Sequence, residues 1–553
     1  VLKSLATAAL LLAILVGPLI FRPKGESTPR PGERSVVIVT PHIESIRYEF
    51  GRAFERQHLA RTGERVHVDF RTPGGTSEIG RYIASEYFAA FQNHWIQTLG
   101  RKWSRAVELS FDNSKVTLDD TPADDTPEQQ ARRAFLTSEV SGKLDLFFGG
   151  GPYDFEQQAR AGRLVDSGYL REHPEVYGDG PGKIPQTLSG ETFYDPQGRW
   201  IGAVLSSFGI VYNVDSLHRL GIEQPPAQWD DLADPRYFHQ IAMANPTQSG
   251  SVSKSFEMLV QQQMQREVAE HGALSPEQEK EAVAAGWNRA LRLLMKIGAN
   301  ARYFTDASTK IALDVEAGEA AAGMTIDFYG RFQSEVVRKP DGSSRLQYLN
   351  VIGGSSVTVD PIGLFRGAPN RELAKEFLSF VLSAEGQKLW NWQVGTPGGP
   401  HRYALRRPPI LPALYAPEFR PFRSDPDLDP YELAKTFTYR EKWTAPLFRP
   451  IAFIFRVMCI DTHEEQTAAW RALIDAGFPA EAMAMFEDVS AVDYPIAGGR
   501  IREALGSDKI KEVQLAKELA DHFRAQYRRA EKMARTVPPA AGRCSPPEDH
   551  PPA

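Results

Sequence analysis

The feature that most constrains the fold is a strand–turn–helix alternation that begins at Val36-Val37-Ile38-Val39. A continuous β-branched run of this kind suits a strand buried on both faces, as in a parallel sheet. A helical stripe follows, with Ile46, Phe50, Ala53 and Phe54 on one side. Val66–Phe70 reads as a second strand, and Pro73-Gly74-Gly75-Thr76 as a turn opening a helix that carries Ile79, Tyr82 and Ile83. This βαβα order predicts an α/β layer fold. Residues 85–140, with the acidic, Pro-containing stretch Asp119–Pro127, interrupt the pattern and read as a partly helical insertion. The pattern resumes with strand Leu144–Phe148, the turn Gly149–Gly151 and a helix carrying Phe155 and Ala159.

Trp200–Asn213 is long enough for a strand that passes from one lobe to another. A second α/β set begins with strand Ile241–Ala244. The loop Asn245–Ser251 and a helix with Val252, Phe256, Leu259, Val260 and Met264 on one face come next. Strands Ala301–Phe304 and Ala320–Ile326 flank a helix near Thr309–Val315. Residues 351–365 run back, and Glu372–Leu382 reads as a helix. A Pro-rich span at 408–430 leads into a mostly helical region, and the last residues have a disordered composition. The expected organisation is 1–34 signal or anchor with linker, 35–205 first lobe, 206–350 second lobe, 351–405 return crossover and helices, 406–537 helical extension and 538–553 tail.

Three small-residue turns fall where strands hand over to helices: Gly74-Gly75-Thr76, Gly149-Gly150-Gly151 and Ser249-Gly250-Ser251. Helix N-termini there leave backbone N–H groups free and favour negative charge. Ligands of open α/β sheets bind at the carboxyl ends of strands. His42 and Glu44 follow the first strand, and Asp327 and Tyr329 follow Ala320–Ile326, so these side chains are candidate ligand contacts. His42 and Tyr329 are also candidate metal ligands, because imidazole and phenolate suit a hard or borderline cation.

The chain of 553 residues has 42% hydrophobic and 24% charged residues, ample for several cores. A net charge of −6 with no basic–aromatic stripe argues against nucleic-acid binding. Cys459 and Cys544 make neither a disulfide framework nor a zinc site. His463-Glu464-Glu465-Gln466 lacks the second His of a zinc-protease helix, Gly182-Lys183-Ile184 is not a phosphate-binding loop, and no Gly-x-Ser-x-Gly elbow occurs. The sequence therefore reads as a binder and not an enzyme. The apolar run Leu5–Phe21, preceded by Lys3, is 17 residues long. That suits an uncleaved signal anchor or a signal peptide, both of which export the rest.

Four stretches carry a family resemblance. Val36–Glu44, Gly202–Gly221 with Pro225–Pro235, Ala242–Ser251 and Arg366–Trp390 resemble bacterial periplasmic solute-binding proteins of ABC importers, type II fold, in the ferric-ion-binding group. The resemblance spans residues 35–405. It implies two α/β lobes joined by crossover strands around an interlobe cleft, with the helical extension appended. It implies capture of a small polar or anionic solute for a permease and ATPase, in a monomer at the periplasmic face, to which the run Leu5–Phe21 adds a tether to the membrane. In that group His, Glu and two adjacent Tyr hold iron beside an anion. Here His42 takes the His place, Phe147–Gly151 offers no carboxylate, and Phe328-Tyr329 keeps one phenolate of the pair. No resident cofactor is expected, and a ferric ion or an anion as cargo stays open. The rival readings are an envelope ligand sensor or scaffold on the same lobes, and a cleft hydrolase.

Overall fold

A computed structural model describes residues 33–119, 121, 124–506 and 509–536. The run Leu5–Phe21 and the tail 538–553 lie outside the described residues. The chain opens with β1 (Arg34–Val39), α1 (Glu44–Thr62), β2 (Val66–Arg71) and α2 (Thr76–Asn93). It continues through β3 (Leu146–Phe148), α3 (Pro152–Ala161), β4 (Leu164–Val165) and the hairpin β5 (Thr187–Leu188)–β6 (Glu191–Thr192) to β7 (Ile201–Ser206). β1 pairs parallel with both β2 and β3, which is why Val36, Ile38 and Val39 are fully buried. α2 runs unbroken through residue 85, so the interruption begins only after Asn93. It holds the helices Arg105–Ser110 and Pro127–Thr137, packed by Phe91 stacked on Phe111 with centroids 4.8 Å apart.

Trp200–Asn213 is two strands. β7 belongs to the first sheet, and after Ser207 the chain enters the second sheet as β8 (Phe208–Asn213). The second lobe follows with β9 (Ile241–Ala244), α4 (Gly250–Glu270), α5 (Pro276–Ala299), β10 (Ala301–Thr305), α6 (Thr309–Ala317) and β11 (Ala322–Ile326). α7 (Asp327–Val336) and β12 (Leu346–Asn350) complete it. Its sheet runs β10-β9-β11-β8-β12, with β8 antiparallel to both neighbours. Residues 351–357 cross back to β13 (Thr358–Phe365), which lies antiparallel between β3 and β4 and also pairs β7. α8 (Arg371–Leu382) and α9 (Ala384–Asn391) close the first lobe. There Phe50, Phe148 and Trp390 pack ring on ring, Phe50 to Trp390 at 4.3 Å.

Beyond Asn391 the chain touches both lobes. Leu205 donates its N–H to Pro408 O at 2.9 Å, beside the first crossing. Asp425 is buried, accepts from Asn391 of the first lobe and pairs with Arg331 of the second at 3.2 Å. Then α10 (Phe448–Phe455) packs on α4, α11 (His463–Ala476) packs on α5, and α12 (Lys509–Arg535) packs on α11. Phe256 meets Phe455 at 4.5 Å, and Trp470 Nε1 donates to Asn300 Oδ1 at 2.9 Å. The stretch Glu441–Ile460 is long and apolar enough to cross a membrane, yet 61% of it is buried within the protein, where it packs on α4. Cys459 is a buried free thiol in this interface, pushed up to about 12 by burial.

Candidate functional site

The two sheets point the ends of several strands at one another, and a cavity of about 1190 Å³ lies between the lobes. Ten of the twelve candidate residues line it: His42, Gly74, Gly75, Thr76, Gly150 and Gly151 from the first lobe, and Ser249, Gly250, Ser251 and Tyr329 from the second. Glu44 does not line it, because its side chain is exposed in the first turn of α1. Asp327 does not line it either. It is wholly buried, accepting from its neighbour Phe328 N at 2.8 Å and from Ser207 Oγ at 3.4 Å. Burial pushes the Asp327 carboxyl up to about 6 against the pull of Arg331 and Arg407. Its role is to fix the start of α7 against the first crossing.

The lobes meet across this cavity. A β-carbon added at Gly250 would stand 2.7 Å from Thr76 Oγ1 and 3.5 Å from Asp154 Oδ2, both in the facing lobe. Gly250 begins α4 with Ser249 as N-cap, whose hydroxyl accepts from Val252 N. What requires glycine there is the approach of the other lobe and not a left-handed conformation. Gly149, by contrast, needs both freedoms. Its φ is +87°, and a β-carbon on it would fall 2.4 Å from His42 Nε2. The glycine run thus exists partly to let the imidazole lie against β3.

His42 is buried, edge-on to Phe148 at 4.6 Å. Arg407 Nη1 lies 3.3 Å from its Nε2. A guanidinium can only donate, so Nε2 accepts and the ring proton sits on Nδ1, which is buried without a partner among the described residues. Burial, aided by Arg407, keeps the imidazole below its ordinary range and neutral at pH 7, although Asp360 opposes this. Arg407 itself is fully buried, 2.7 Å from Asp360 Oδ2 and 4.0 Å over the Phe328 ring. Burial would raise the Asp360 carboxyl, but Arg407 outweighs it and holds the group below the usual range. Tyr329 is pushed up to about 12 by burial.

This donor set does not suit a ferric ion. The His42 nitrogen facing the pair is taken by a guanidinium, the phenol resists ionisation, and no group of three or more metal-ligating side chains occurs among the described residues. Nor is the Ser249–Ser251 turn simply a vacant anion seat, because Asp154 of the first lobe brings its own carboxylate to the end of α4. Asp154 has no cation partner among the described residues, and burial pushes it up to about 6.

The structure adds residues that sequence reasoning missed. Asp154 sits in the first turn of α3, three residues beyond the glycine turn, where an acidic residue reads as ordinary helix capping. Arg407 lies in a Pro-rich stretch with no periodicity to mark it. Lys254 lies one turn into α4, 3.0 Å from both Glu191 and Glu257, with its ammonium 3.8 Å from the centre of the Tyr439 ring. Burial opposes its charge, but the two carboxylates outweigh that and hold the lysine well above its usual range. Tyr439 and Phe448 come from the C-terminal extension, so the cleft wall reaches beyond the residues that carry the family resemblance.

Residues 142–407 match the model of the family described as bacterial extracellular solute-binding protein. The resemblance read from the sequence is thereby borne out, and so is the two-lobed α/β fold with its helical extension. An uncharacterized protein of Haemophilus influenzae is 24% identical over 257 residues, 46% of this chain and 62% of that one. The phosphoglycerate transport regulatory protein PgtC of Salmonella typhimurium is 22% identical over 189 residues, 34% of this chain and 40% of that one. The chain thus spans less than two thirds of the length of these relatives. Iron-bound HitA of Pseudomonas aeruginosa superposes with a TM-score of 0.45 at 15% identity, covering 76% of this chain and 99% of that one.

Proposed function

We propose that this chain, which carries a bacterial extracellular solute-binding segment over residues 142–407, is the capture component of an ABC importer. It acts by binding and not by chemistry. The observation that carries this reading is the interlobe cavity, with Gly250 of one lobe against Thr76 of the other. A solute touching both faces stabilises the closed form over the open one, and closure is a hinge motion about the two crossings at Ser207 and 351–357. The solute is a small polar molecule, delivered to a separate permease and ATPase by a monomer. Leu5–Phe21 would export the chain and hold it at the outer face of the inner membrane.

The test is a thermal-shift screen of the folded chain against metals, organic anions, amines and sugars, followed by small-angle scattering. A true solute raises the melting temperature by mass action, and Gly250→Val reduces that shift. A screen in which every compound leaves the melting temperature unchanged at millimolar concentration refutes the reading. A second reading, a sensor that reports occupancy, draws on two observations. The extension touches both lobes, and the Salmonella relative is named as a transport regulatory protein. Ligand-dependent recruitment of a membrane partner other than a permease would favour it.

A further inference from the structure

The charge of the cavity wall is the feature that the capture reading leaves unused. Nine carboxylates line the cavity, among them Asp154, Glu191, Glu257, Asp306 and Glu441. Against them stand three basic side chains of the same wall, Arg160, Arg199 and Lys254. Arg81 and Arg407 pair from outside the wall with Glu78 and Asp360. Five cations therefore answer nine anions, and Asp154, Asp306 and Glu441 have no cation partner among the described residues. An anionic solute would enter against this field, whereas a cation is drawn in, the more strongly because the low-dielectric walls focus it.

The wall also shows how it holds an ammonium. Lys254 Nζ is seated between Glu191 and Glu257, both at 3.0 Å, and over the face of Tyr439 at 3.8 Å. Two carboxylates share that one cation, so the seat keeps an excess negative charge. The same wall carries Tyr153 of the first lobe against Phe448 of the extension, with ring centroids 4.8 Å apart. Aromatic faces beside carboxylates favour cations over anions. Along α4 the cavity is lined from Gly250 to Glu257, about 10 Å at 1.5 Å per residue. That length is too great for a bare ion to touch both ends and suits an organic molecule.

We propose that the solute is an organic cation, an amine whose charge is held at Asp154, in the part of the cleft that the C-terminal extension completes, while Lys254 fills the Glu191–Glu257–Tyr439 seat beside it. The proposal rests on the cleft being the solute site, and the experiment separates the two. Titration calorimetry of the folded chain would compare 1,4-diaminobutane and 1,5-diaminopentane with inorganic phosphate and citrate. Each would be measured on the wild type, Asp154→Asn, Phe448→Ala and Gly250→Val. The expected result is that a diamine binds and the anions do not. Asp154→Asn should weaken the diamine at least tenfold and Phe448→Ala at least threefold, with melting temperatures of the unliganded variants near that of the wild type. An anion that binds the wild type and is lost in Gly250→Val leaves the cleft standing and overturns the cation. A diamine unaffected by both Asp154→Asn and Gly250→Val places the cation elsewhere and overturns the cleft as the solute site as well. Absence of binding by every amine at millimolar concentration also overturns the proposal.

Discussion

Gly250→Val is the most direct probe of closure. The first β-carbon alone would stand 2.7 Å from Thr76 Oγ1, several tenths of an ångström inside ordinary contact. Overpacking a well-fitted contact costs about 1–3 kcal/mol, and here the cost falls only on the closed form, since the opposing atoms belong to the other lobe. A binding protein whose competent form is depopulated loses apparent affinity by the same factor. That cost therefore corresponds to a Kd about 5- to 150-fold higher, at 1.4 kcal/mol per tenfold. The unliganded fold should be unharmed, because Val at the start of a helix is no worse than Gly and Gly250 borders the cavity. Calorimetry with the compound giving the largest thermal shift measures the first effect. The radius of gyration at a compound concentration that just saturates the wild type reports closure, and the variant should compact less than the wild type there. A variant that binds within twofold of the wild type and compacts normally would refute the placement of the cleft.

Three further outcomes follow from the same geometry. Arg407→Ala leaves Asp360 buried and unpaired and should destabilise the protein by about 3–5 kcal/mol in urea unfolding, while Arg407→Met with Asp360→Leu should recover most of the loss; equal instability of the single and double variants would contradict the pairing. Asp327 holds its proton up to about pH 6 when folded but only to about 4 when unfolded, so its contribution to stability is fully present below about 4 and is lost as pH rises through 6. Asp327→Asn should therefore flatten the fall in melting temperature between pH 4 and 6, and an unchanged profile would count against the burial argument. Ferric ion added with citrate should give no strong phenolate charge-transfer band, and a stoichiometric band that disappears in Tyr329→Phe would restore an iron site.

Much of the scaffold was legible in one dimension because it is periodic. Val36–Val39 had to be a two-sided strand, and the glycine and serine turns had to stand at strand ends, since only small residues allow chain and helix to meet so tightly. Those local rules brought Gly74–Thr76, Gly150-Gly151 and Ser249–Ser251 to one cleft, with His42 and Tyr329 beside them. The break at Ser207 was not legible, because a strand that changes sheets keeps the same apolar pattern on both sides. Glu44 and Asp327 had the right sequence neighbourhood, but helix phase turns one to solvent and the other inward.

The character of the site is a tertiary property. Hydrophobic period and turn chemistry are local, and they were enough to specify two α/β lobes and the turns between them. Only the folded chain decided that Asp154 faces the start of α4, that Arg407 occupies the His42 nitrogen, and that Tyr439 and Phe448 wall the cleft from far along the chain. The physical reason is that charge acts through space. Nine carboxylates spread from residue 78 to residue 441 look like solvated surface when read in order, and become one field only when two sheets and an extension bring them to a common wall.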